Sequence, residues 1–366
     1  MNRSRTLLAL FVLAMIVYMP LTMVVKSNTS IKPEVQSSWT DIQISVQPVS
    51  DGTHSLLKPE WALVGSDPLT YRGPIVEGWP PGKSRDMSQI MAKDYVVDHC
   101  QGQDLSGVKL LVGVKSVSNR FETRDTTRET WGLFQNDHPD VKVLFFTGEP
   151  SNPLTINRLR AEIQVHCDLV VVRGVDSYAN RTIKAVSLLR YVNDHHLGLN
   201  PEVTMVMDDD AYLNLDRLYY LISHRLLATA VDNFITGFRY GGPVLRPPVN
   251  STDQFVKPSV CPSYMYNGTT TPPHLSGSGY FMPRATVPCL VRQAMSLPFL
   301  HINDVFITGF CAEACGFPRV AHSQFSPGKK KLEDITCHHI LLHYQSPEAR
   351  LKIFNKFDKE CPSPNK

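Results

Sequence analysis

Net charge is what this chain has least of. Lys and Arg total 37 against 34 Asp and Glu in 366 residues, a formal net charge of +3. A balance so close to neutral gives no support to a nucleic-acid binder, whose footprint is a basic surface. No internal repeat is visible, and no C-x-x-C pair occurs. Without a second close cysteine pair, the i,i+4 spacing of Cys311 and Cys315 makes a poor zinc site. Charged residues are only 19% and hydrophobic residues 42%. That is the globular range, and it excludes wholesale disorder, collagen and coiled coil.

One stretch lacks charge altogether. Leu7 to Val25 is an apolar run of nineteen residues preceded by Arg3 and Arg5. As a helix it is about 28 Å long, close to the roughly 30 Å hydrocarbon core of a bilayer. It ends in no small-x-small cleavage site, which favours a signal-anchor over a cleaved signal peptide. The positive-inside rule keeps the N-terminus cytosolic and sends everything after Lys26 into the secretory lumen. All eight cysteines lie beyond the anchor. In an oxidising lumen an even count suggests up to four disulfides, with connectivity left open. The sequons at Asn180, Asn250 and Asn267 are candidate glycosylation sites, whereas Asn28 sits too near the membrane to be used.

The 27 prolines point to a Pro-rich segment, and residues 27 to about 98 have that texture, with Ile42 to Val46 a short strand-like piece. The chain thus divides into a cytosolic tail (1–6), a transmembrane anchor (7–25), a luminal spacer (26–98) and a folded luminal domain (99–366). From Val108 onward the pattern alternates. Apolar strand patterns at 108–114, 141–147, 169–172 and 202–207 are separated by helical patterns. The first helix, from Asn119 to Trp131, opens with a capping-box spacing between Asn119 and Glu122. The others are marked by Ile156, Leu159 and Ile163, by residues 182–195 and by residues 215–227. Such alternation predicts an α/β fold with a parallel sheet, and ligands then bind beyond the carboxyl ends of the strands.

The fourth strand ends in Asp208-Asp209-Asp210. Side chains alternate along an extended chain, so Asp208 and Asp210 share one face and Asp209 takes the other. Carboxylates so crowded call for a cation, and oxygen ligands choose Mg²⁺ or Mn²⁺ over zinc. Arg124 and Arg128, at i,i+4, either bracket an anion or form structural ion pairs. Glycines in Ser276-Gly-Ser-Gly-Tyr280 permit close backbone approach to a ligand. Asp304, before an apolar run, reads either as a helix cap or as a general base. His343 belongs to a histidine-rich apolar segment near the C-terminus.

In order, these motifs resemble the β1,3-glycosyltransferases of the galactosyltransferase family, glycosyltransferase family 31. Arg124-Asp-Thr-Thr-Arg128-Glu-Thr-Trp131-Gly132 is similar to that family's R-x-x-x-R-x-T-W-G. Phe145 to Gly148 resembles its F-x-x-G, and Asp176 to Lys184 its D-S-Y-x-N-L-T-x-K. Asp208 to Asp210 matches D-D-D, and Ser276 to Tyr280 matches S-G-S-G-Y. Asn303-Asp304-Val305 stands where the family has E-D-V, and His343 to Glu348 resembles V-H-Q-x-S-P-E. The resemblance runs over about residues 105 to 355 and implies a GT-A fold, with a Rossmann-like nucleotide half and an acceptor half.

It further implies an inverting β1,3-glycosyltransferase of the Golgi membrane, a single-pass type II protein with its catalytic domain luminal. The donor is a UDP-sugar, UDP-galactose first, with UDP-GlcNAc or UDP-GalNAc as alternatives; the acceptor is a glycan on glycoprotein or glycolipid. Asp210 and His343, with Asp208, hold Mn²⁺. Asp208, Asp209, Arg124, Arg128, Lys184, Gly277, Ser278 and Gly279 contact the sugar nucleotide, and Asp304 is the catalytic base. Asn303 replaces a supporting Glu, which keeps open a silent relative acting as a luminal binding or chaperone partner.

Overall fold

A computed structural model describes residues 73–81, 84–91, 96–98, 103–226, 233–246 and 260–361. The anchor at 7–25, the strand-like piece at 42–46 and the sequons at Asn28 and Asn250 lie outside the described residues. Among the described residues no helix is long and apolar enough to cross a membrane.

Eight strands form one mixed sheet in the order β1-β4-β3-β2-β5-β8-β7-β9. They are β1 (Val96–Asp98), β2 (Leu110–Lys115), β3 (Val141–Glu149), β4 (Leu169–Val175), β5 (Val203–Asp208), β7 (Ile235–Pro243), β8 (Thr270–Pro283) and β9 (Arg319–Ala321). Strands β2, β3, β4 and β5 are mutually parallel, as the strand–helix alternation predicts. The parallel reading stops at β5, because β8 and β7 pair antiparallel beside it. Antiparallel neighbours need no helical crossover between them, so the strand–helix alternation that signals a parallel sheet does not announce this half. A small second sheet joins β6 (Tyr212–Leu213), β10 (Phe325–Ser326) and β11 (Leu341–Leu342).

The parallel strands are buried along their length: β2 and β5 have no exposed position. Helix Arg181–Asn193 covers them with Ala185, Val186, Leu188 and Leu189, all fully buried. Gly113 admits this packing, since a Cβ there would stand 2.3 Å from Leu188 Cδ1. The first helix runs Phe121–Glu129, but its N-cap is Arg120 without a side-chain cap bond. The capping-box spacing at Asn119 is therefore not used. Asn152 instead caps helix Pro153–His166, accepting from the backbone N–H groups of Leu154 and Thr155.

The C-terminal end of the segment read as spacer joins the folded body. Trp79, Met87 and Met91 are buried in its main apolar cluster, and β1 adds an antiparallel edge to β4. These few large apolar side chains are what a periodicity reading misses in a Pro- and Ser-rich stretch. Cys289 bridges Cys315 and Cys337 bridges Cys361. Cys167 is also disulfide-bonded. Cys261 and Cys311 are buried free thiols, and burial pushes the Cys261 thiol up to about 12.

Candidate active site

The carboxyl end of β5 and the start of β8 open onto a cavity of about 670 Å³. Asp208, Gly277, Asp304 and His343 line it together, with Arg181, Tyr178, Tyr240 and Tyr344 on its walls. Strand β5 ends at Asp208, and the chain turns through Asp209 and Asp210. The turn is held from behind by Arg350, fully buried, which donates to the Asp209 carbonyl at 3.1 Å.

The alternation predicted for the three aspartates is realised. Asp209 faces away from the cavity: Ser116 Oγ donates to it at 2.8 Å and Arg120 at 2.6 Å. Asp208, Asp210 and His343 gather on the other side, with one ligand atom of each within 4.8 Å of the others. His343 Nε2 lies 3.1 Å from Asp210 Oδ1, while Nδ1 is 3.0 Å from the Pro327 carbonyl. A 3.1 Å edge is the spacing of neighbouring ligands around one octahedral ion, about 3 Å. An imidazole beside a carboxylate is also a donor set that suits Mn²⁺. The residues therefore fit a divalent cation held by Asp210 and His343.

Asp208 is less available. Lys115 Nζ sits 3.0 Å from Asp208 Oδ1, 2.9 Å from Asn303 Oδ1 and 3.2 Å from the Gly277 carbonyl. Lys115 thus makes two hydrogen bonds and one ion pair. Burial alone would push the Asp208 carboxyl up, but Lys115 and then Arg181 outweigh it and hold it below the usual range. Burial likewise tends to lower His343, yet its hydrogen bond and charge attraction to Asp210 raise it above the ordinary imidazole value. Lys115 was missed in the sequence because a lysine ending an apolar strand reads as a solvated tip.

Asp304 is half-buried on the facing wall. Its Oδ1 accepts from the Val305 N–H and its Oδ2 from the Gly277 N–H, each at 3.1 Å. The cap reading and the base reading are thus compatible, since each oxygen keeps a second lone pair. A Cβ at Gly277 would come within 3.3 Å of the carboxylate, which would have to give way by a few tenths of an ångström. Ser278 is buried, with its hydroxyl 2.9 Å from that of Ser276. Gly279 serves the core, since a Cβ there would meet Leu341 at 2.4 Å.

Four of the expected nucleotide contacts are placed elsewhere. Arg124 is fully buried and donates to both oxygens of Glu162 at 2.7 and 2.8 Å. Arg128 pairs with Glu162 at 2.7 Å and Asp168 at 2.8 Å. Both are structural ion pairs behind β2 and β3, and neither reaches the cavity. Lys184 is buried against Asp176 at 2.8 Å and the Ser116 carbonyl, so it supports the loop after β2. Asp209 does the same from its own side. Of the glycosylation candidates, Asn267 is exposed and Asn180 half-buried. Thr182, the third residue of the Asn180 sequon, is fully buried and donates to the Leu300 carbonyl at 2.6 Å.

Tyr344 has a left-handed backbone, with φ of 57°, and its ring stacks 3.7 Å from that of His343. Such a conformation is costly for a non-glycine residue and concentrates at functional sites.

The galactosyltransferase family profile matches residues 122–323. The β-1,3-galactosyltransferase 1 of Mus musculus is 26% identical over 67% of this chain and 73% of its own length. The lactosylceramide 1,3-N-acetyl-β-D-glucosaminyltransferase A of Danio rerio is 30% identical over 63% of this chain and 59% of its own. A mannosyltransferase structure from Pyrobaculum calidifontis, in complex with GDP-Man and Mn²⁺, aligns with a TM-score of 0.33 and 12% identity over 64% of this chain and 60% of that chain. That likeness is too distant to bear on the chemistry.

Proposed function

The chain belongs to the galactosyltransferase family and is a glycosyltransferase, and on that premise we propose that it is an inverting β1,3-glycosyltransferase. It takes galactose from UDP-galactose to a hydroxyl of a glycan on glycoprotein or glycolipid. The fold in this reading is a GT-A arrangement, with the parallel half serving the nucleotide. The observation that carries it is one cavity lined by Asp208, His343 and Asp304, with Asp210 grouped beside His343 at 3.1 Å.

Inversion at the anomeric carbon needs a single in-line displacement, so no covalent intermediate on the protein is required. The acceptor hydroxyl is a poor nucleophile until a carboxylate takes its proton. Asp304 does this, and the N–H groups of Gly277 and Val305 fix its orientation. Lys115 ties the Asp208 side of the cavity to Asn303, next to the base, and so sets the distance between the two walls. Asn303 is thereby occupied and does not leave Asp304 unsupported, which weakens the silent-relative reading. A divalent cation at Asp210 and His343, when bound, neutralises charge on the departing diphosphate.

In this reading the protein is a type II membrane protein of the Golgi with its catalytic domain in the lumen. The uncharged run at 7–25 behind Arg3 and Arg5 supports it. Relatives named for galactose and for N-acetylglucosamine transfer make UDP-GlcNAc the second donor to try. The test is a donor screen: full chain, Mn²⁺, each UDP-sugar and a panel of acceptor glycans, with UDP release as readout. Acceptor-dependent release from UDP-galactose is the expected result. Release from another UDP-sugar corrects the donor, and none from any donor returns the silent-relative reading.

A further inference from the structure

Arg181 opens helix Arg181–Asn193 and stands on the cavity wall, in the position where the resembled motif has leucine. Its guanidinium lies 4.3 Å from the centre of the Tyr178 ring, and Nη1 donates to the Tyr178 hydroxyl. The ring face and the hydroxyl together pin the cation in place. Nη2 is 3.7 Å from Asp208 Oδ1, beyond hydrogen-bond distance. Nε and Nη2 donate no hydrogen bond to any described residue. The ion pair of Asp208 at short range is with Lys115, 3.0 Å away. Arg181 keeps 31% of its side chain accessible. It is a fixed cation with unspent donors beside the Asp208, Asp210 and His343 group.

The charge count of the cavity points the same way. Asp208, Asp210 and Asp304 face two cations, Lys115 and Arg181. With leucine at 181 and glutamate at 303, four carboxylates would face Lys115 alone. Relative to that motif, the site holds one more fixed cation and one fewer carboxylate. A guanidinium fork matches phosphate oxygens and carries its charge at every working pH.

We propose that Arg181 is a built-in cation of the nucleotide site, binding the diphosphate of the UDP-sugar directly, so that nucleotide affinity depends only in part on the divalent cation. The proposal rests on reading the cavity as a UDP-sugar site. Calorimetry on the full chain in detergent tests it, with UDP, inorganic pyrophosphate and uridine as probes, each in EDTA and in Mn²⁺. The unaltered protein binds UDP in EDTA. Arg181→Leu weakens UDP and pyrophosphate in EDTA by about 10- to 100-fold, the size of a charge-assisted hydrogen bond. The loss is smaller in Mn²⁺, uridine is unaffected, and Arg181→Lys retains part of the affinity. Unchanged UDP affinity of Arg181→Leu in EDTA overturns the proposal, as does an equal loss for uridine, which would mark a merely structural role. If the unaltered protein fails to bind UDP even in Mn²⁺, the UDP-sugar reading itself falls and takes this role with it.

Discussion

Two clusters of buried charge differ in one respect. In the first, Arg124 and Arg128 meet Glu162 and Asp168, and the other Arg124 donors go to Ser116, Val117 and Ser118. In the cavity, Asp208, Asp210 and Asp304 meet Lys115 and Arg181, and Arg181 and Asp210 keep capacity unspent. The first cluster is closed and serves the fold. The second is open and has room for an anion and a cation. Residue types alone do not separate them; what separates them is how many donors and acceptors remain for something from outside.

The largest expected effect breaks the open cluster at Asp304. Asp304→Asn lowers turnover by about 10²–10⁴-fold while UDP affinity stays the same. Steady-state rates beside nucleotide calorimetry check this. Near-normal turnover in the folded variant would leave Asp304 as a cap alone.

Next comes the closed cluster. Arg124→Leu leaves Glu162 with Arg128 alone, at 2.7 Å, and costs about 1–3 kcal/mol of stability through the hydrogen bonds lost. Chemical denaturation measures it, and the double variant Arg124→Leu with Glu162→Leu recovers part of the loss. Turnover per folded molecule changes little, because neither side chain reaches the cavity. A specific loss of UDP affinity in Arg124→Leu would join the two clusters into one site.

The smallest effect concerns pH, where the clusters have opposite signs. Burial tends to raise the Glu162 carboxyl, but Arg124 and then Arg128 hold it below its ordinary 4.5. Its contribution to stability is complete above about pH 4.5 and is lost as pH falls through the folded value. His343 is raised above its ordinary 6.5. Its pairing with Asp210 stabilises the metal-free protein below about pH 6.5, and that contribution is lost as pH rises through the folded value. Melting temperature against pH in EDTA shows both limbs in the unaltered chain. Glu162→Gln shrinks the acid limb, to which Asp208 also contributes, and His343→Gln removes the upper one.

The parallel half was legible because strands buried on both faces write uninterrupted apolar runs, as in Leu110 to Val114 and Val203 to Met207. The grouping of Asp208 with Asp210 agreed with the alternation expected, although β5 ends at Asp208 and a turn carries the other two. The antiparallel half was hidden because β7 and β8 carry Gly, Pro and polar residues whose pairing is set by contacts distant in sequence. Arg124 and Arg128 were misplaced because a motif records which residues recur together and not what each one touches, and here they touch Glu162 and Asp168. Lys115 and Arg181 left no periodic signal; their importance comes from what the fold sets beside them.

The claim that the open cluster is a metal-assisted nucleotide site is tested most directly at Asp210. The measurement is UDP affinity of Asp210→Ala across a Mn²⁺ titration, beside the unaltered chain. In the unaltered chain Mn²⁺ tightens UDP binding, and in Asp210→Ala that tightening disappears while binding in EDTA persists. An undiminished Mn²⁺ enhancement in the variant would contradict the assignment and move the cation elsewhere.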